Sequence, residues 1–252
     1  MYLVVHVLIF VLGLLVAQTG HPVLVAIGTS VAATGLSGWA IFLWIRLSDR
    51  HADDRRRLVE MGIVTVFPAR SVPIRPEYER RFNNARQHID FLGFGLRALR
   101  EDFLADFENW LAHSPIRVLL VDPEAPTPGW HYTDQRDLEE GNDVGSIARD
   151  VRNFVAATVG IKRAWPERFE VRLYRSVPAV NVCRIDDDVF WGPYLMGEQS
   201  RSTPTFLVAR TGPMFNLLTS HFEQIWNSDV YSRPAFTTID DTTSPQSVLD
   251  HE

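Results

Sequence analysis

Polar and apolar residues are distributed very unevenly along this chain. From Tyr2 to Ala17 there is no formal charge and His6 is the one strongly polar residue, and from Val23 to Ile45 there is again no charge. A helix rises about 1.5 Å per residue against a hydrocarbon core of about 30 Å, so the second run can span a bilayer and the first lies near the lower limit. Gln18-Thr19-Gly20-His21-Pro22 between them is a polar turn with two breakers, short enough to force an antiparallel pair. A signal peptide is the alternative for the first run, but it lacks a basic start and a second apolar run follows at once, which favours a retained hairpin. Arg46, Arg50, Arg55, Arg56 and Arg57 come next, and Lys and Arg tend to stay on the cytoplasmic side. The expectation is a multi-pass inner-membrane protein whose soluble part is cytoplasmic, with the lipid bilayer as its first partner.

The rest of the chain alternates strand and helix patterns. Ile63 to Phe67 is a β-branched run ending at Pro68, and Pro76-Glu77-Tyr78-Glu79 opens a helix through about His88. His88 to Phe94 is a second strand, closing in glycines, and Leu96 to Leu111 has helical spacing of Leu96, Leu99, Phe103, Leu104, Phe107 and Leu111. Ile116 to Val121 follows as a third strand, so the order implies right-handed crossovers and a largely parallel sheet. Asp134 to Gly160 is mainly helical with a break near Gly141. Thereafter Phe169 to Tyr174, Val180 to Ile185, Val189 to Trp191 and Thr205 to Ala209 read as short strands, with Asp186-Asp187-Asp188 as a hairpin turn. Met214 to Asn227 is a last amphipathic helix, and Ser, Thr, Pro and Asp dominate from Ser232 onward. The expected organisation is a hairpin over 1–47, a basic juxtamembrane linker over 48–61, a cytosolic domain over 62–231 and a disordered tail over 232–252.

Composition narrows the chemistry. The lone Cys183 excludes an intramolecular disulfide and a cysteine-based zinc cluster. The net charge of −6 argues against a broad nucleic-acid-binding surface. Gly28 with Ala32, and Ser30, Thr34 and Gly38, form rows of small residues that suit self-association in the membrane or packing of the hairpin on itself. The acidic triplet Asp186 to Asp188 reads as a turn rather than a metal site, His113, His131 and His221 have no ligand spacing, and no cofactor is expected. Asp122, Glu124 and His131 are separated by Pro123, Pro126 and Pro128, which describes an irregular loop more than an acid–base site.

The stretch Ala179-Val180-Asn181-Val182-Cys183-Arg184-Ile185-Asp186-Asp187-Asp188-Val189-Phe190-Trp191-Gly192 resembles the motif region of the phospholipase D superfamily, and Phe222-Glu223-Gln224-Ile225-Trp226 looks like the last helix of such domains. The resemblance implies a single α-β-α domain with a mixed sheet, and it covers most of the soluble part. With Asp186 on the family's aspartate, Asn181 falls on its lysine and Ala179 on its nucleophilic histidine. The serine expected after the glycine is Pro193, no His-x-Lys pair occurs in the chain, and Lys162 is its only lysine. The resemblance therefore implies a retained fold and lost phosphodiester hydrolysis.

Ligands of such sheets sit beyond the carboxyl ends of the parallel strands. The candidate ligand-binding residues are accordingly Gly93, Gly95, Arg97, Asp122, Asn181, Asp186 and Tyr194, with the amides near Gly95 and Leu96 as a helix N-terminal anion cradle. The leading expectation is a membrane-tethered sensor or effector that binds a phosphate-bearing ligand, nucleotides among the candidates, and couples it to the hairpin. Its architecture resembles that of bacterial two-transmembrane antiphage effectors. The competing expectations are a membrane-anchored phosphodiesterase acting on lipid or nucleic acid, and a dimeric scaffold that binds no small ligand.

Overall fold

The computed structural model describes residues 2–70 and 74–236, which divide into an N-terminal unit ending at Val59 and a second unit beginning at Glu60. The N-terminal unit is helical: α1 covers Tyr2–Ala17 and α2 covers Pro22–Glu60. Pro22–Leu47 is long and apolar enough to cross a membrane, whereas Val4–Ala17 is a shorter apolar helix. The two helices touch along glycines. A Cβ at Gly13 would lie 2.7 Å from the Gly28 carbonyl oxygen, and one at Gly35 would lie 2.6 Å from the Phe10 backbone nitrogen. Gly28, Ala32 and Gly35 are buried in this seam, while Ser30 and Thr34 return their hydroxyls to their own helix and stay exposed. Within one chain, therefore, the row holding Gly28 and Ala32 is used to pack α2 on α1. The stretch expected as a linker over 48–61 continues α2 to Glu60, because no glycine or proline interrupts it before Gly62.

In the second unit β1 (Ile63–Phe67), α3 (Arg75–Asn84), β2 (Ile89–Gly93), α4 (Arg97–Phe103), α5 (Phe107–Leu111) and β3 (Ile116–Val121) come first. A two-stranded ribbon, β4 (Pro126–Thr127) and β5 (Trp130–His131), leads to α6 (Tyr132–Glu140) and α7 (Ser146–Ala164). The chain closes with β6 (Phe169–Tyr174), β7 (Val180–Ile185), β8 (Asp188–Pro193), β9 (Thr205–Ala209), α8 (Pro213–Trp226) and β10 (Ser232–Pro234). Eight of these strands form a mixed sheet in the order β1-β9-β8-β7-β2-β3-β6-β10.

Among the described residues only β2, β3 and β6 pair in parallel, so the largely parallel sheet read from the first half holds only for the sheet's middle. β1 does not lie beside β2. It sits at the far edge against β9, because the β7–β8–β9 meander fills the space between them. The long helix expected from Leu96 to Leu111 is interrupted by a tight turn at Leu104–Asp106, and α3 stops at Asn84, before His88. The break near Gly141 is present, with Gly141 in the left-handed conformation (φ 72°) that ends α6. Ser232–Pro234, expected to open the tail, pairs with β6 instead, and the rest of the expected tail from 237 lies outside the described residues.

An aromatic core covers one sheet face. Phe82 stacks on Trp110 at 4.2 Å, and Phe107 packs parallel to Phe91. On the other face Arg117 bridges the buried Asp90 and Glu223 of α8 while lying over the rings of Phe222 and Trp226. Such charge pairs place α8 against strands that carry polar residues on that face.

Candidate anion site at the strand ends

Strand direction decides which loops can meet. β1 is antiparallel to β9, β9 to β8, β8 to β7 and β7 to β2, so β1, β8, β2, β3 and β6 all bring their carboxyl ends to one edge of the sheet. That edge collects Arg70 beyond β1, Gly93 ending β2, Asn181 near the start of β7, and Tyr194 just past β8.

Asn181 is buried, 6% exposed, opposite Gly192, and its Nδ2 donates to the Gly192 carbonyl at 2.8 Å. A Cβ at Gly192 would lie 3.4 Å from both Arg70 Nη2 and Asn181 Nδ2, and 2.6 Å from the Pro204 carbonyl oxygen. Glycine there lets the arginine and the asparagine approach the hairpin backbone together. Arg70 Nε and Nη2 are buried and have no hydrogen-bond partner among the described residues, while the Arg70 backbone N–H donates to the Arg201 carbonyl at 3.0 Å. Gly93 serves the same end, since a Cβ on it would come within 3.3 Å of the Tyr194 hydroxyl oxygen. The Tyr194 ring meets Phe94 edge-on at 4.7 Å.

The electrostatics follow from this burial. Burial pushes the pKa values of Tyr78, Cys183 and Tyr194 up, and in each case the Arg70 charge opposes the shift. Three half-buried groups thus lie within reach of one guanidinium, and all three are protonated and neutral at ordinary pH. Tyr174, 1% exposed with an unpartnered hydroxyl, is raised by burial and then by the nearby Tyr194. Buried guanidinium N–H groups without an acceptor are costly, and such donors are shaped for a carboxylate or phosphate oxygen. The arrangement can hold an anion. Among the described residues it brings no imidazole to the same place, and burial holds the Cys183 thiol protonated.

Of the residues expected from sequence, Gly93, Asn181 and Tyr194 come together here. Asp122 shares the same sheet end, but its fully buried carboxylate is consumed by Arg233 at 2.7 Å, Arg175 at 3.0 Å and the Glu124 N–H at 3.1 Å. Burial alone would raise its pKa; these partners outweigh burial and hold it below the ordinary carboxylate range. Asp186 is at the opposite end of the β7–β8 hairpin, where its carboxylate accepts the N–H groups of Arg86, Gln87 and His88. Its φ of 52° is the left-handed turn conformation that Asp tolerates. Asp186 therefore ties the loop before β2 to the hairpin and is placed away from the site.

The helix-terminal cradle does not form as expected either. A Cβ at Gly95 would fall 2.7 Å from Asp150 Cβ, so the glycine makes room for α7, and the nearest acidic group would repel an anion. Arg97 is 68% exposed and pairs with Glu101 at 2.9 Å. Arg70 is the residue that sequence reasoning missed. Its signal is the strand-end rule applied to β1: Arg70 stands three residues past Phe67, but the rule points there only once β1 is known to run in the same direction as β2.

No family model and no curated protein matches the chain. Among solved structures it is similar to TrmBL2, an archaeal chromatin protein with a novel mode of DNA binding, at 11% identity and a TM-score of 0.45, covering 79% of this chain and 69% of that one. It is also similar to NucT from Helicobacter pylori, at 12% identity and a TM-score of 0.37, covering 65% and 95%. Similarity to phosphatidylserine synthase from Haemophilus influenzae is at 13% identity and a TM-score of 0.38, covering 64% and 36%. All three scores lie below 0.5, and the functional reading rests on the site's own geometry.

Proposed function

We propose that this protein is a membrane-anchored sensor or effector whose α/β domain binds a phosphate-bearing anion at the Arg70 site without hydrolysing it. The observation that carries the reading is the half-buried Arg70 guanidinium, whose buried Nε and Nη2 lack a partner among the described residues and which lies beside Asn181. In the phospholipase D-like reading of the sequence, Asn181 stands where a phosphate-binding lysine would be, and Arg70 supplies from β1 the charge that Asn181 lacks. Ala179 stands at the nucleophile's position, and the phenols and thiol near Arg70 are held protonated by burial. Binding without turnover is the chemistry these groups support. Nucleotides are the ligand class to try first, with the domain on the cytoplasmic side and occupancy relayed to the N-terminal helices.

The test is calorimetry of the full chain in detergent against pyrophosphate and a panel of mono-, di- and cyclic dinucleotides. At least one of these anions binds, and Arg70→Met abolishes the binding while the protein keeps its circular dichroism spectrum. Absence of binding across the panel, or binding that survives Arg70→Met, overturns the reading.

A further inference from the structure

Arg70 is half-buried, but its Nε and Nη2 are sealed from solvent, so an anion that pairs with those two nitrogens needs an entrance. The chain from Tyr194 to Thr203 passes this site, and the contacts that hold it down are polar. Arg136 of α6, 2% exposed, donates Nη1 to the Leu195 carbonyl and Nη2 to the Glu198 carbonyl, both at 2.9 Å, and its guanidinium lies 5.2 Å over the Tyr194 ring. Arg136 is in turn oriented by Glu140 at 2.8 Å and Glu139 at 3.2 Å. Glu140 also takes the Ser200 hydroxyl at 2.6 Å and the Ser200 N–H at 3.1 Å, and the Gly197 N–H reaches the Glu139 carbonyl at 3.2 Å. At its far end the segment receives the Arg70 N–H on the Arg201 carbonyl.

Between Tyr194, whose ring packs on Phe94, and Thr203, 1% exposed, the segment buries little. Leu195 is 44% and Met196 78% exposed, so its apolar side chains do not anchor it in the core. A stretch held by a few hydrogen bonds and little apolar contact opens at lower free energy than the sheet beneath it. The polar hold also converges on one arginine and one carboxylate, and the Tyr194 ring joins that clamp directly to the anion site.

We propose that Tyr194–Thr203 is the gate of the Arg70 site and that the Arg136–Glu140 pair is its latch. The proposal rests on the anion-binding reading for its purpose, but opening can be measured without any ligand. Full-length protein in detergent is treated with phenylglyoxal, which condenses with accessible guanidinium groups, and labelling is read by mass spectrometry at three positions. Arg70 reports the gate, Arg80 on α3, 60% exposed, gives the open rate, and Arg117, 22% exposed between Asp90 and Glu223, reports global unfolding. Glu140→Gln removes the charge that orients Arg136, and losing such a charge-assisted bond speeds Arg70 labelling about ten-fold with Arg80 and Arg117 unchanged. Ser200→Ala, a milder change, speeds it about two- to three-fold, as expected for one neutral bond, and decides the matter if Glu140→Gln raises Arg117 labelling as well.

Arg70 labelling that neither variant accelerates overturns the gate. Pyrophosphate added to the Glu140→Gln protein separates the two claims. Protection of Arg70 supports the anion site, whereas accelerated labelling that pyrophosphate leaves untouched overturns the anion reading and leaves the gate standing.

Discussion

Along one edge of the sheet, two neighbouring regions treat charge in opposite ways. Beyond β3, β6 and β10, Asp122 is surrounded by Arg175, Arg233 and the Glu124 N–H, so the carboxylate is matched on every side. Beyond β1, β7 and β8, Arg70 is flanked by an amide donor and protonated phenols. Both places hold buried polar atoms and both sit where ligands of such sheets are found. The first is a fastener that has what it needs within the chain; the second has donors without an acceptor among the described residues. Position at a strand end is thus insufficient to mark a binding residue, and what separates the two cases is whether the charge is already answered.

The sharpest break of this comparison is at Asp122. Asp122→Ala removes the acceptor of hydrogen bonds from Arg175, Arg233 and the Glu124 N–H, and unfolding in urea should show a loss of about 3 kcal/mol, the worth of one to two hydrogen bonds to a charged group. Its acid behaviour has a defined sign. The folded-state pKa is depressed, so the stabilisation is complete above the unfolded carboxylate range near pH 4 and disappears as pH falls through the lower folded value. Asp122→Asn should therefore flatten the acid limb of the stability profile below about pH 4. An acid limb identical to the parent's would mean that the cluster is not the fastener described.

Asp186 extends the comparison to the far end of the hairpin. Its substitution by Ala removes the acceptor of three N–H groups and places a Cβ-bearing residue at φ 52° without local compensation. A loss of about 2–3 kcal/mol is expected, read as a lower denaturation midpoint, with anion binding retained. Lost binding at unchanged stability would return Asp186 to the site.

Arg70→Met should do the reverse. Replacing an unanswered half-buried cation by an apolar side chain is neutral or stabilising by about 1 kcal/mol, while anion affinity falls at least ten-fold, roughly the worth of a charged hydrogen bond. Destabilisation by Arg70→Met would show that the guanidinium has a partner after all. The smallest effect belongs to Asn181→Ala, which removes one buried hydrogen bond to the Gly192 carbonyl. It should cost about 1 kcal/mol in melting measurements and weaken anion binding by less than Arg70→Met does.

Much of the fold was legible locally. β1, β3, β6, β7 and β9 keep the bounds expected from β-branched runs closed by Pro, Asp or Arg, because a strand's existence depends on its own pattern. Strand order is different. Nothing in Ile63–Phe67 says that β9 will be its neighbour, since that pairing joins residues more than a hundred positions apart. The turn at Leu104–Asp106 was hidden because Phe103, Leu104 and Phe107 keep helical spacing across it, and β10 was hidden because its Ser-Arg-Pro composition reads as tail.

The site was legible to the extent that it lies on one motif. Gly93, Asn181 and Tyr194 were candidates from the strand ends and come together in space, whereas Asp186 was a candidate from its place in the motif and lies at the other end of the hairpin. Arg70 is one arginine among many in the chain, and its significance lies in the absence of a neighbour, which no local pattern records.

β10 sets a practical limit on how the domain can be cut. Arg233 brings its guanidinium to Asp122, and the Ser232 hydroxyl accepts Arg172 Nε while donating to the Ile225 carbonyl near the end of α8. An expression boundary placed after Tyr231 would strip the carboxylate of its nearer arginine, leave the α8 terminus undercapped and bare the outer hydrogen-bonding row of β6 to other chains. The same gene trimmed after Phe236 would retain all three contacts and yield the better-behaved soluble protein.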